Sequence, residues 1–376
     1  MSQGVLSKVA PLALSFALVA CGGGGHGPTT PSTPPVVSEI PLTTRVHMDA
    51  ATQAAYDKVR GQSGWLLGAG SVATASNAFV SVASGSSRAR FAELYGVNPA
   101  VVEWEMGEAN ARTALRDWAT LASHARDGGL PWVRVQMNNF VVPFGAGTPP
   151  RGGMNDTTGR AAAVLPGGSG NAAYIAYIRQ LARELKAVGT PVVLRMLHEG
   201  NGRWFWWGGN SVDYVALWRL TFATFADERV TNAIWLWSPS PSCPASGSCA
   251  TTAFYPGDDV VDILGVDSYF DASTVPAGQR ASITALAAIG LDKPIVFGEM
   301  GPVARADYWS GALAFFATVP RFRGFTLWLA RGWNVWGSDP ATGSLIDAST
   351  DAATRAEFSK LLADPRVLTL ERFARR

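Results

Sequence analysis

From about residue 60 onward, short apolar runs alternate with longer stretches whose apolar residues recur at helical spacing. The runs are Trp65-Leu66-Leu67, Val101-Val102-Glu103-Trp104, Trp132-Val133-Arg134-Val135 and Val192-Val193-Leu194-Arg195-Met196-Leu197. Four more follow at Ile234–Trp237, Val261–Val266, Pro294–Phe297 and Phe325–Leu329. The helical stretches between them include Ala111–Ala125, Ala172–Ala187, Val212–Ala226, Trp309–Ala317 and Ala353–Leu362. Eight strand-then-helix units predict an α/β chain folded as a (β/α)8 TIM barrel with a single catalytic domain. An open doubly wound sheet fits less well, because no Gly-rich phosphate fingerprint follows the first run.

The first forty residues follow a different pattern. Lys8 precedes an apolar stretch from Val9 to Ala20, which is too short to span a membrane and suits a signal sequence. Leu18-Val19-Ala20-Cys21 resembles the bacterial lipobox, so residues 1–21 read as a lipoprotein signal peptide with Cys21 as the lipidation site. Gly22 in place of aspartate after that cysteine favours the outer membrane, facing either the periplasm or the cell surface. Residues 22–40, rich in Gly, Pro, Thr and Ser, read as a tether, and 41–376 as the barrel domain. Export makes a structural disulfide between Cys243 and Cys249 the expected pairing.

Composition narrows the function. Hydrophobic residues make up 47% of the chain and charged ones 16%, which describes a protein with a large core. A formal net charge of +2 gives no case for nucleic acid as a partner, and the only membrane contact expected is the lipid anchor. Fourteen tryptophans suit a ligand that stacks on aromatic faces.

The candidate chemistry lies where the apolar runs end, as a barrel requires. His198 and Glu199 close the fourth run, followed by Gly200-Asn201-Gly202-Arg203 and the aromatics Trp204-Phe205-Trp206-Trp207. So many glycines and polar residues argue against simple core packing and for a sugar-binding surface. Glu299 ends the seventh run, Asp267 and Tyr269 end the sixth, and Trp333 and Trp336 follow the eighth. Two carboxyl groups facing each other across a sugar cleft suggest glycoside hydrolysis. Strand alternation points Arg195 and Glu199 the same way, which makes Arg195 a candidate support for an ionised carboxylate. Glu103 and Glu105 are candidates for lining the cleft, with nothing around them that marks acid-base machinery. Asp258 and Asp259 read as turn residues.

The motifs Leu194-Arg195-Met196-Leu197-His198-Glu199-Gly200-Asn201-Gly202-Arg203-Trp204 and Gly298-Glu299-Met300-Gly301 resemble those of glycoside hydrolase family 26, the bacterial β-mannanases and their relatives. Trp235-Leu236-Trp237-Ser238-Pro239 and Val266-Asp267-Ser268-Tyr269 add to the resemblance, which runs from about Trp65 to the end. It implies Glu199 as acid/base and Glu299 as nucleophile in a retaining double displacement, supported by His198, Arg195 and Tyr269. Trp204 and Asp267 would shape the sugar subsites, and either Trp333 or Trp336 would stack on a sugar.

Two departures stand out. Gln136 occupies the place of a histidine at the end of the third run, where it and Asn139 are candidate substrate-binding residues, and Gly200 replaces a methionine. Both bear on substrate identity. The expectation is therefore an endo-acting β-1,4-mannanase, with xylan, mixed-linkage glucan or an exopolysaccharide as other substrates. A non-catalytic carbohydrate-binding lipoprotein is the competing class. No metal or organic cofactor is called for, the partner is a polysaccharide, and the chain is expected to be monomeric.

Overall fold

The computed structural model describes residues 47–73, 79–80, 86–107, 118–145, 151–241, 251–270, 277–289, 292–302, 308–329 and 352–376. All eight predicted runs form strands: β1 (Trp65–Ala73), β2 (Val101–Gly107), β3 (Leu130–Gln136), β4 (Val192–Arg195), β5 (Ala233–Trp237), β6 (Ile263–Phe270), β7 (Ile295–Pro302) and β8 (Phe322–Leu329). Each pairs in parallel with the next, and β8 returns to β1 through Leu66↔Gly324 and Leu67↔Phe325. The result is a closed barrel, which leaves none of the eight as a sheet edge. The short strands Phe79–Val80 and Val367–Leu368 add to β1 from outside the ring.

Helices Asn171–Val188, Ser211–Asp227, Tyr308–Phe316 and Ala352–Ala363 match the predicted amphipathic stretches within a residue or so. Their apolar faces pack on the outward-facing strand residues. Trp235, for instance, meets Trp218, Phe222 and Phe225 at ring-centroid distances of 5.0–5.9 Å. Tyr214 and Trp218 are buried, and Arg219 forms a two-pronged pair with Asp259, both bonds 2.9 Å. That helix is thus a packing and ion-pair element.

Inward-facing residues stack in two layers of opposite character. Val101, Trp132, Val193, Ile234, Ile263 and Val296 belong to one buried apolar cluster toward the amino ends of the strands. Two residues further along β2 and β3 come Glu103 and Arg134, and on β4 comes Arg195; all three are buried. Side-chain alternation keeps them on the same inner face as the residues below them. On β6, Asp267 joins this charged layer.

Glu299 reaches that layer only because β7 breaks register. Val266 pairs with Phe297, but Asp267 pairs with Glu299, so Gly298 is the extra residue of a bulge. Without it, Glu299 would have the parity of outward-facing Phe297. The bulge must also be glycine. A Cβ there would sit 2.4 Å from Ser238 Oγ, 2.7 Å from Asp267 Oδ1 and 2.9 Å from Arg195 Nε.

Gly298→Ala is therefore expected to destabilise the fold by about 1–3 kcal/mol, as overpacking at a closely packed site does. Gly61→Ala, at the end of a helix where nothing lies within 4 Å of the new methyl, should be neutral or stabilising by up to about 1 kcal/mol. Urea unfolding of the two variants side by side checks the contrast.

Candidate active site

Strand β4 ends at Arg195, earlier than the sequence suggests, and the chain turns before it reaches Glu199. Leu197 and Glu199 both have positive φ, 48° and 53°. Such values are strained for side chains of this kind and persist only where surrounding bonds fix them. Tyr214 Oη donates to the Leu197 carbonyl at 3.0 Å, and Glu199 N–H donates to the Ser238 carbonyl at 2.7 Å. Asn201 exchanges two bonds with Ser240, of 2.7 and 2.9 Å, which ties the turn to the exit of β5. Glu199 therefore arrives at the mouth from a pinned turn, and simple strand alternation does not place it.

The same packing accounts for Gly200. A Cβ at that position would lie 1.9 Å from the Tyr214 ring, so the tyrosine fills the space a larger residue would need.

The four aromatics after Glu199 divide. Trp204 is half-buried and donates its indole N–H to Glu199 Oε2 at 2.7 Å. Phe205, Trp206 and Trp207 are buried, so the expected four-ring sugar surface does not form. Trp206 donates to the Met137 carbonyl and Trp207 to the His198 carbonyl, each at 2.8 Å. Phe205 stacks on Trp207 at 4.6 Å and flanks His198 at 4.9 Å. These rings are the wall that holds the turn.

Glu299 sits at the centre of the charged layer. Its Oε1 accepts from Arg134 Nη1 at 2.8 Å and from Arg195 Nη1 at 2.9 Å, and its Oε2 accepts from Tyr269 Oη at 2.5 Å. Arg195 also donates to Glu103 at 3.1 Å and to Asp267, which accepts from Ser238 Oγ at 2.5 Å. Arg134 Nε lies 3.9 Å from Glu103 Oε2. Arg134 and Arg195 are direct neighbours across β3 and β4, so Glu103 and Glu299 separate two cations that would otherwise repel.

The two carboxylates are driven in opposite directions. Burial, reinforced by the charge of Glu299, pushes Glu199 up to about 7 against the Trp204 hydrogen bond. Burial would also raise Glu299, but the guanidiniums of Arg195 and Arg134 overcome it and hold that carboxyl well below the usual carboxylate range. Burial, with Arg195 nearby, pushes His198 far down and keeps its imidazole neutral. Tyr269, raised by burial and by Glu299, stays a phenol and a donor. Burial pushes Glu103 up despite both arginines.

The remaining sequence candidates fall as follows. Gln136 ends β3 two residues beyond Arg134, half-buried at the mouth. Asn139 does not face the cleft as a sugar ligand. Its Nδ2 donates to the carbonyls of Asp156 and Thr158, and its Oδ1 accepts from Val141 and Val142 N–H, so its amide is committed to folding its own loop. Cys21, Cys243, Cys249, Trp333 and Trp336 lie outside the described residues. Arg134 is a contributor that the sequence left unmarked, and Glu103 one marked only as a candidate for lining the cleft. The available signal was a charge at an inward position of an otherwise apolar run.

Comparison with known proteins agrees with this fold. The family described as Glycosyl hydrolase family 26 matches residues 57–310. Mannan endo-1,4-beta-mannosidase A and B of Caldalkalibacillus mannanilyticus is 35% identical over 159 residues, 39% of this chain and 29% of that protein. Mannan endo-1,4-beta-mannosidase of Bacillus subtilis strain 168 is 31% identical over 195 residues, 48% of this chain and 50% of that protein. The matched stretches thus span half or less of these relatives' own length. A Cellulomonas fimi endo-beta-1,4-mannanase double mutant superimposes with a TM-score of 0.69 at 26% identity, covering 88% of this chain and 78% of that one. With more than half of its length matched by the family and the same barrel in solved relatives, this chain belongs to glycosyl hydrolase family 26.

Proposed function

We propose that this protein is a retaining endo-β-1,4-mannanase in which Glu199 is the acid/base and Glu299 the nucleophile. The observation that carries the reading is a pair of buried carboxyls at a barrel mouth in unlike settings. Glu299 is held by two guanidiniums and a phenol, and Glu199, among the described residues, by the Trp204 indole alone. The names of the relatives supply the substrate class, mannan.

In the first step the Glu299 carboxylate attacks the anomeric carbon while Glu199 gives its proton to the departing glycosidic oxygen. The indole of Trp204 fixes the Glu199 carboxyl through Oε2. In the second step Glu199, now a carboxylate, takes a proton from water, and the water oxygen displaces Glu299 from the sugar with net retention. Neutral His198 places no titrating cation beside Glu299 near neutrality, and the phenol of Tyr269 stays a donor to its Oε2. Gln136, half-buried at the mouth two residues beyond Arg134, is the position that bears on sugar preference.

Reducing-end release by the barrel domain on mannan, glucomannan, xylan and mixed-linkage glucan tests the reading. Mannan cleavage is expected, reduced at least about a thousandfold in both Glu199→Ala and Glu299→Ala. Turnover of xylan or glucan alone overturns the substrate class. Binding of oligosaccharides with no hydrolysis of any polymer overturns the enzyme.

The pH dependence has a defined sign. Glu199 must be protonated for the first step, so kcat/KM falls as pH rises through an apparent value near 7. The acid limb follows protonation of Glu299 and lies below the usual carboxylate range. Because the Trp204 hydrogen bond favours the charged form of Glu199, Trp204→Phe moves the alkaline limb to higher pH. Profiles of kcat/KM for the two proteins measure both limbs, and an unmoved or lowered alkaline limb contradicts the assignment.

A further inference from the structure

The two oxygens of Glu299 are held unequally. A carboxylate oxygen offers two lone-pair sites. Both sites of Oε1 are engaged, by Arg134 Nη1 at 2.8 Å and Arg195 Nη1 at 2.9 Å. Among the described residues Oε2 accepts one bond, from the Tyr269 hydroxyl, which leaves a lone pair for a new one.

From this asymmetry we infer that Oε2 is the oxygen that bonds to the anomeric carbon, and that Arg134 is a positioning residue for release of the sugar from Glu299. The inference rests on the glycosidase reading above. On attack, an Oε2 lone pair forms the bond to the sugar, the glycosidic C–O bond breaks, and its electron pair takes the Glu199 proton. Oε1 becomes the carbonyl oxygen of the ester, still facing two guanidiniums. In the second half, water bonds to the anomeric carbon and gives a proton to Glu199. The bond to Oε2 breaks, its electron pair returns to Glu299, and the restored negative charge spreads onto Oε1. Two cations placed there oppose loss of the charge in the first half and favour its return in the second.

Arg134 separates this role from general support of the site. Arg195 is bonded to Glu103, Asp267 and Glu299 together, so its removal would disturb the whole layer. Removing Arg134 leaves all three of those bonds in place. Glu103, 3.9 Å from Arg134 Nε and buried with it, steadies the guanidinium from the side.

The test uses Arg134→Gln and a substrate with a good leaving group, 2,4-dinitrophenyl β-mannobioside. Release of the sugar from Glu299 should become limiting. The expected result is kcat lowered about a hundredfold, the scale for loss of one preorganised donor. KM should fall with it, kcat/KM should change far less, and a rapid burst of dinitrophenol equal to the enzyme should precede the slow phase. A fall in kcat/KM equal to that in kcat, with KM unchanged and no burst, overturns the inference.

If Arg134→Gln does not fold by circular dichroism, Arg134→Lys carries the test. It keeps a cation but not the guanidinium's fixed donor geometry, and the same burst with a smaller fall in kcat is expected; its absence counts against the inference equally. Failure of the unaltered enzyme on this glycoside and on all four polymers overturns the glycosidase reading, and this inference with it. An active enzyme whose variants show no burst overturns this inference alone.

Discussion

The structure depends on a layer of charge enclosed in a barrel. Glu103, Arg134, Arg195, Asp267 and Glu299 come from five strands and are all buried, directly above a layer of valine, isoleucine and tryptophan. Buried charges carry a desolvation cost of several kcal/mol each, which close and complete pairing must offset. Here each guanidinium faces at least one carboxylate within hydrogen-bonding distance. Removing Arg195, which bonds Glu103, Asp267 and Glu299 together, would take the shared cation from three carboxylates in a place water does not easily reach. Local requirements follow from this one condition: the bulge on β7, the glycine at 298 that makes room for it, and the serine at 238 that bonds Asp267.

Function uses the same condition. Glu299 lies inside the layer and is kept ionised by it; Glu199 lies on a strained turn outside the layer and is kept protonated by burial and by the negative charge of Glu299. Two residues of the same chemical type thereby acquire different tasks from position alone. The aromatic cluster serves this separation mechanically. Phe205, Trp206 and Trp207 fill the space behind the turn, and their two indole N–H groups bond backbone carbonyls.

Much of this is legible in the sequence, for identifiable reasons. Eight apolar runs alternating with helical stretches fix the barrel, since parallel strands buried on both faces need near-continuous apolar sequence. Glu199, Asp267, Tyr269 and Glu299 are legible because barrel sites gather at strand ends. Arg134 and Glu103 are harder to recognise. An isolated charge in an apolar run becomes informative only when its inward parity is known, and Glu299 shows that a bulge can reverse that parity. The aromatic run misleads for another reason: an indole near polar residues suits a sugar and a backbone carbonyl equally well. Asn139 likewise has the chemistry of a ligand, but its turn takes up the whole amide.

In the proposed reaction the charged layer presents Glu299 to the sugar through Oε2 while its arginines hold Oε1. A crystal structure after reaction with a 2-deoxy-2-fluoro-mannosyl fluoride, which traps the sugar on the nucleophile, distinguishes the two oxygens. The expected result is an ester between the anomeric carbon and Glu299 Oε2, with Oε1 still within hydrogen-bonding distance of both Arg134 and Arg195. A sugar attached to any other residue, or bonded through the oxygen that the arginines hold, would contradict it.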